Sequence, residues 1–476
     1  MADNVVILAG GRGKRMKTTK PKALLEVLGD AMLEWVISAC EEAQLSRICI
    51  VKGYEANQID DYLGGRYTTV MQSERLGTGH AVMQAKQFLE ENLDGYTLIL
   101  NGDAPFIDCG TIKGALELHK SSDASVTVVT SVLEDATGYG RIIRGENGVS
   151  AIVEHKDCTE EQRKIREINS GCYWFNTKEL LSVLDEIKPD NAQGEYYLTD
   201  CLSLLLAKGK TAQAYISENP YVSLGANDRA QLLELNTLAR NNIIKKHLEN
   251  GVEFSCTDGV IIGRNVKIGS GTHIKSGTQL FGNTVIGSGC VIGCNTVLKN
   301  VTVGDYVTLN NVQAVDSQVE DYSTVGPWVQ LRPGTHIKKH VKIGDFVEIK
   351  NSVIGDRASM AHLSYVGDSD VGENVNMGGG CITCNFDGEN KYRTVIGNNA
   401  FIGCNTNLVA PIKVGDGAYT AAGSTITRDV PDGALAIERS QTAVKEGYAD
   451  KKLAKRNEKF AKMAQEQQDE NGKKQS

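Results

Sequence analysis

The sequence has no run of about 18 apolar residues, the length that crosses a bilayer as a helix, so no membrane span is expected. It has no basic excess either. Lys and Arg number 51 against 59 Asp and Glu, a net charge of −8, which argues against a nucleic-acid partner held by a broad positive field. The N-terminus lacks a basic stretch, a long apolar segment and a small-residue cleavage site, so a cytoplasmic location is expected. The 12 cysteines then read as reduced thiols and not as a disulfide framework. Cys381 and Cys384 have the CxxC spacing, but no second pair stands at zinc-finger distance. Two small side chains in a tightly turned stretch are the expectation there, with metal or redox chemistry as the alternative. Proline is scarce at 8, whereas glycine reaches 50.

With 476 residues the chain is too long for one ordinary core, and two or three domains are expected. From about residue 5 to 225, strand-like and helix-like segments alternate. Val5–Ala9, Ile48–Val51 and Tyr96–Leu100 are apolar strand runs, and Met32, Val36, Ala39, Cys40 and Ala43 have helical spacing. This alternation predicts a Rossmann-like α/β domain with a largely parallel sheet covered on both faces, and ligands beyond the carboxyl ends of its strands. Over 228–251, Leu232, Leu235, Ala239 and Ile243 recur at threes and fours, which predicts a linker helix.

From residue 260 onward the period becomes six. Ile262, Ile268, Ile274, Leu280, Ile286, Ile292 and Leu298 are evenly spaced, and glycine often follows the aliphatic residue. The frame resumes at Val303, Leu309 and Val315, again at Val325, Leu331, Ile337, Ile343 and Ile349, and later at Ile396, Ile402, Leu408, Val414 and Ile426. A period of six fits neither a helix nor a hairpin. It predicts a parallel β-helix whose aliphatic residues point inward and whose glycines turn the corners, which also explains the glycine excess. A polar excursion at 383–394 interrupts the repeat and reads as a functional loop. The expected domains are 1–227, the helix 228–251, the β-helix 252–445, and a charged tail 446–476 that is a frayed helix or flexible.

Two constellations carry chemistry. Leu8-Ala9-Gly10-Gly11-Arg12-Gly13-Lys14-Arg15 places a glycine-rich turn directly after a strand, where backbone N–H groups close around phosphate oxygens. Arg12, Lys14, Arg15, Lys20 and Lys22 add positive charge. The spacing is neither that of a P-loop nor that of a dinucleotide fingerprint. Asn101-Gly102-Asp103 ends another strand. In the second half, His362 lies between cationic residues and the excursion, and histidine suits a base that accepts a proton from an amine. A zinc ion on His336, His340 and His362 is the alternative.

The stretch Leu8 to Leu25, with Lys20-Pro21-Lys22, resembles the signature of sugar-phosphate nucleotidyltransferases. So do Gln72 with Leu76-Gly77-Thr78-Gly79, Gly102-Asp103, and Gly138-Tyr139-Gly140-Arg141. The run from Gly326 to Gly388 resembles the acetyltransferase half of the bifunctional bacterial N-acetylglucosamine-1-phosphate uridylyltransferases/glucosamine-1-phosphate N-acetyltransferases, and the likeness extends to about residue 447. This resemblance implies a left-handed β-helix and UDP-N-acetylglucosamine synthesis from glucosamine 1-phosphate, acetyl-coenzyme A and UTP. It also implies homotrimers. For the first site it implies Mg²⁺ on Asp103 and Asn227, and Arg15 and Lys22 on the phosphates. Leu8, Ala9, Gly10, Gly11, Gln72, Gly77, Thr78, Asn101, Gly102, Gly140, Glu154 and Asn169 would contact nucleotide and sugar. For the second site it implies His362 as base, Asn385 orienting the reacting groups, and Arg332, Lys350, Tyr365, Asn376 and Lys391 on the sugar phosphate. Gly379, Phe386, Cys404, Ala422 and Arg439 would join Asn385 along acetyl-coenzyme A. The chain departs from the family where Ala is usual at Gly10, Thr at Lys14, Tyr at Asn101 and Phe386, Ala at Gly379 and Ser at Cys404. Phe386 loses a hydroxyl, and Cys404 replaces a firm hydrogen-bonding group with a weak one. The alternatives are a single-activity nucleotidyltransferase with a structural or regulatory β-helix, and a non-enzymatic trimeric scaffold.

Overall fold

A computed structural model describes residues 3–146 and 148–473. The chain forms two compact units, Met1–Tyr322 and Ser323–Ser476.

In the first unit a nine-stranded sheet consists of β1 (Asn4–Leu8), β2 (Arg47–Lys52), β3 (Thr68–Met71), β4 (Tyr96–Asn101), β5 (Val126–Val132), β6 (Arg141–Gly145), β7 (Gly148–Val153), β8 (Glu167–Asn176) and β9 (Ala212–Ile216). The main order is β9-β5-β8-β4-β1-β2-β3, with β6 pairing to both β8 and β7. Strands β4, β1, β2 and β3 are mutually parallel, but β8 runs antiparallel to both its neighbours, so the sheet is more mixed than the sequence pattern predicts. The difference lies in β8, whose ten residues Glu-Ile-Asn-Ser-Gly-Cys-Tyr-Trp-Phe-Asn give no directional signal. Core residues cover both faces, with Ile7, Leu33, Ile50 and Trp174 in one cluster and Val6, Val51, Val82 and Phe175 in the other. Because β1 and β4 are parallel neighbours, the turns after Leu8 and Asn101 emerge at the same edge. The helix Arg229–Glu249 follows, its N-terminus capped by Asp228, whose carboxylate accepts the Gln231 N–H at 3.0 Å.

Residues 253–319 of the first unit and 324–436 of the second form coils of short parallel strands. Where the hexads are unbroken a coil takes eighteen residues, as in the pairing of Lys267 with Val285. Where corners tighten it takes seventeen or sixteen, as when Val285 pairs with Thr302 and Thr302 with Gln318. These shorter coils are the phase slips of the sequence. The predicted inward positions are buried, from Ile262 to Leu309 and from Val325 to Ile426, with two departures, Ile268 and Val315. Ile268 is half-buried. Val315 points outward, 39% exposed, and Ala314 takes the inward place, because the corner at Asn311 comes one residue early. At the start of the excursion Thr383 faces inward and Ile382 outward. The Thr383 hydroxyl accepts the Gly367 N–H at 2.8 Å and donates to the Gly367 carbonyl at 3.1 Å, so a polar group sits satisfied in an apolar column.

Most corners use a residue in the left-handed conformation, usually Gly or Asn. Trp328, Phe346 and Leu363 are bulky exceptions on consecutive coils of the second unit, all exposed, with Trp328 stacked on Phe346 at 5.2 Å between ring centroids. The tail forms the helix Tyr448–Lys473, exposed over 448–467, and residues 474–476 of the predicted tail lie outside the described residues.

Candidate active sites

The first site grows from the paired strand ends. The Leu8 carbonyl accepts the Gly102 N–H at 2.9 Å, which puts Asp103 beside the glycine-rich turn. The Gly11 carbonyl accepts the Lys22 N–H at 3.3 Å and folds the basic loop back. Lys22 Nζ then lies 2.5 Å from Asp103 Oδ2 and donates to Asn227 Oδ1 at 2.7 Å. A carboxylate oxygen and an amide oxygen therefore converge on one cationic point. Both are hard oxygen donors, the kind that, with substrate phosphates and water, suits Mg²⁺, so the predicted pair fits that ion. Arg15 lines the same cleft of about 330 Å³, with Tyr139 and Ser223.

An adjoining cleft of about 220 Å³ is lined by Leu8, Thr78, Asn101, Gly140, Glu154 and Asn169. The two share Asn101, Gly138, Tyr139, Ser170 and Ser223, so they form one continuous trough. Gln72 joins the glycine-rich side to the 76–79 segment by donating to the Gly77 carbonyl at 3.1 Å. Gly77 has φ +116°, and a Cβ there would lie 2.5 Å from the Tyr196 carbonyl oxygen. Thr78 Oγ1 accepts the Leu198 N–H at 3.1 Å. Ala9 donates to the Val51 carbonyl and Gly10 accepts from Tyr54, which places both in the floor of the turn. Asn169 donates to the Tyr173 hydroxyl at 2.6 Å and accepts the Gly171 N–H at 3.0 Å. Burial pushes the Glu154 carboxyl up, and Asp157 and Asp200 add to the shift. Arg141 is buried and donates to the Tyr139 carbonyl, holding the loop 138–141 from beneath. Ser170, Ser223 and the clamping Tyr196 have no signal in the sequence, since Ser170 comes from β8 and the other two from loops, none with a motif.

In the second unit, His362 ends the strand Ser359–His362 and its Nδ1 lies 2.9 Å from Asp345 Oδ1. The Asp345 carboxyl is held below the usual carboxylate range by its own backbone N–H and then by His362. With Nδ1–H donated to Asp345, Nε2 is left as the proton acceptor. Asp345 lies one coil below His362, a spacing of seventeen that the repeat could have revealed. On successive coils at this corner, the His362 carbonyl accepts from Gly380, that of Gly379 from Asn405, and that of Cys404 from Gly423. The Ala422 carbonyl accepts from Arg439 at 3.0 Å. His362, Gly379, Cys404, Ala422 and Arg439 thus run as one column.

A cationic cluster occupies the other end of the strand Tyr365–Gly367. Lys350 sits against Lys391, whose side chain, ahead of burial, pushes the Lys350 ammonium down; Arg332 contributes. Two cations so crowded call for an anion. Asp368 accepts from Asn351 at 2.5 Å and from Asn385. Burial pushes its carboxyl up, but these amides with Lys350 and Lys391 outweigh it and hold it low. Tyr365 reaches this cluster, because a Cβ on Gly367 would meet both its hydroxyl and the Asn385 amide. The excursion is a tight hairpin that bridges Phe386 to Lys391, with Phe386 exposed at its edge. Asn385 therefore stands with the cations and across the strand from His362. Asn376 starts a strand on the His362 face, paired with Ser359. Cys381 is in the core, its thiol donating to the Gly403 carbonyl at 3.1 Å. Among the described residues no group of three His, Cys, Asp or Glu side chains converges, so His336, His340 and His362 do not form one ligand set.

The Nucleotidyl transferase family model matches residues 4–226, and the Bacterial transferase hexapeptide (six repeats) model matches residues 393–428. Bifunctional protein GlmU of Acetivibrio thermocellus is 45% identical over 455 residues, covering 95% of this chain and 98% of that protein. The Brevibacillus brevis protein of the same name is 46% identical over 449 residues (94% and 97%), and that of Listeria monocytogenes 44% over 445 (93% and 97%). The chain belongs to the GlmU family of bifunctional proteins, a nucleotidyltransferase domain followed by a left-handed β-helix of hexapeptide repeats.

Proposed function

We propose that the chain makes UDP-N-acetylglucosamine in two steps, one in each half. In the β-helix, the amine of glucosamine 1-phosphate attacks the thioester carbonyl of acetyl-coenzyme A. His362 Nε2 takes the amine proton, Asp345 steadies the imidazole, and the thiolate leaves. Lys350, Lys391 and Arg332 hold the phosphate. In the N-terminal domain, the phosphate of N-acetylglucosamine 1-phosphate attacks the α-phosphorus of UTP and pyrophosphate leaves. Lys22 and Arg15 neutralise the phosphates, and Asn101, Glu154 and Asn169 orient the sugar. Mg²⁺ held by Asp103 and Asn227 supplies charge neutralisation at the reacting phosphates. Residues 1–227 carry the second step, 228–251 link, 252–445 carry the first, and 446–476 take part in neither.

The observation that carries this reading is the coexistence of two built sites: oxygens gathered on a cation at Lys22, and an imidazole paired to a carboxylate at His362.

The active form is a homotrimer. His362 lies at the corner before the strand Tyr365–Gly367 and the Lys350 cluster at the corner after it, roughly 13 Å apart at about 3.3 Å per residue. The amine and phosphate of the substrate are on adjacent carbons, and this separation is why we assign the imidazole and the cations that meet one substrate to different copies. A second copy completes the site, and the exposed Trp328, Phe346 and Leu363 beside His362 provide a surface for it to cover. The substrates place the enzyme in the cytoplasm, where the free state of its cysteines is stable.

Incubation with glucosamine 1-phosphate, acetyl-coenzyme A, UTP and Mg²⁺, with products read by mass, tests the proposal. UDP-N-acetylglucosamine should form, and omission of each component should stop the matching step. Uridylyl transfer with no acetyl transfer would favour a β-helix that serves only structure or regulation.

A further inference from the structure

Away from both sites, the first unit contains a cavity of about 250 Å³. That is room for roughly eight waters at about 30 Å³ each. The helix Met32–Glu42 presents Trp35, Ser38, Ala39 and Glu42 to it, one face at helical spacing. The helix Arg229–Glu249 presents Ile243, Lys246 and His247, and the first coil adds Arg264.

Asp108 on the cavity wall is committed to Thr111 and Asn219, and most of the other polar groups are not. Ser38, Glu42, Lys246 and His247 make no side-chain hydrogen bond or ion pair among the described residues, and the His247 Nδ1 is buried without a partner. Such a group is costly unless something satisfies it. Arg264 uses only its Nε, donating to Asp30 Oδ2 at 3.1 Å, and its guanidinium lies 5.7 Å from the Trp35 ring centroid. Its two terminal nitrogens are left to a ligand. Trp35, Ala39 and Ile243 supply apolar wall, Arg264 and Lys246 supply positive charge, and Glu42 and Asp108 bring two carboxylates, of which Asp108 is already held by Thr111 and Asn219.

We infer that this cavity is a second small-molecule site, taking an organic anion whose acid group meets Arg264 and Lys246 and whose apolar body lies along Trp35 and Ile243. A carboxylate and a phosphate share the chemistry that the two cations recognise. The apolar wall separates such ligands from free inorganic anions.

Calorimetric titration of the full chain with phenyl phosphate and with phenylacetate tests this, with the product UDP-N-acetylglucosamine and Mg²⁺ present to fill the first site and coenzyme A with glucosamine 1-phosphate to fill the second. Saturable binding of at least one probe is expected, with inorganic phosphate and acetate markedly weaker. Loss of the Arg264 contact in Arg264→Gln should weaken binding by about tenfold or more, the usual scale of a charge-assisted pair. Ser38→Phe, which fills the cavity, should abolish it while uridylyl and acetyl transfer persist. No saturable binding of either probe to wild-type protein would overturn the inference. So would binding that survives Ser38→Phe in a protein that retains both activities.

Discussion

Gly171→Ala probes how the sugar trough is built. Gly171 has φ +79°, and a Cβ there would lie 2.1 Å from Asn101 Nδ2. Alanine in the left-handed region costs about 1–2 kcal/mol. The clash falls on the tip of a side chain that can swing away, and leaving its rotamer well adds about 0.5–1.5 kcal/mol. The variant should therefore lose about 1.5–3.5 kcal/mol of stability and should still fold. Asn101 lines both parts of the trough, so its displacement should remove one sugar hydrogen bond worth about 1 kcal/mol, roughly a fivefold fall in kcat/KM for uridylyl transfer. Acetyl transfer should be unchanged. Adding Asn101→Ala should recover the rotamer part of the stability and none of the activity. Pyrophosphate release with N-acetylglucosamine 1-phosphate as the varied substrate gives the rate, and denaturant unfolding gives the stability. Wild-type uridylyl transfer in Gly171→Ala would refute the placement of Asn101 at the sugar.

Further outcomes follow from the same geometry. Lys391→Gln should raise KM for glucosamine 1-phosphate about tenfold with little change in kcat, because it removes one of two crowded cations; steady-state acetyl transfer checks this. Thr383→Val should cost about 1–3 kcal/mol, since the Gly367 N–H loses its inward acceptor, and chemical denaturation of the β-helix reads it. The half-buried Glu154 has a raised carboxyl, so the folded state holds its proton to higher pH than the unfolded chain does. Its contribution is full below the ordinary carboxylate range and is lost as pH rises through the raised value. Glu154→Gln should flatten that part of a plot of Tm against pH.

The β-helix was legible because one inward aliphatic per hexad is a demand of the core, and the demand repeats. It failed at Val315, where a shortened corner moves the frame by one residue, and a period cannot say which corner gives way. The catalytic candidates were legible as motifs, but their partners were not. Asp345 and Asp368 sit one coil from His362 and Asn385, contacts set by coil length and not by neighbouring sequence. The antiparallel β8 was missed because hydrophobic runs carry no direction. Tyr196 reaches Gly77 across more than a hundred residues, and only the folded chain brings them together.

The claim of two separate sites on one chain is tested most directly by assaying both half-reactions in His362→Ala and Asp103→Asn side by side. His362→Ala should lose acetyl transfer and retain uridylyl transfer, and Asp103→Asn should do the reverse. Loss of both activities in either folded variant, or loss of neither, would contradict it.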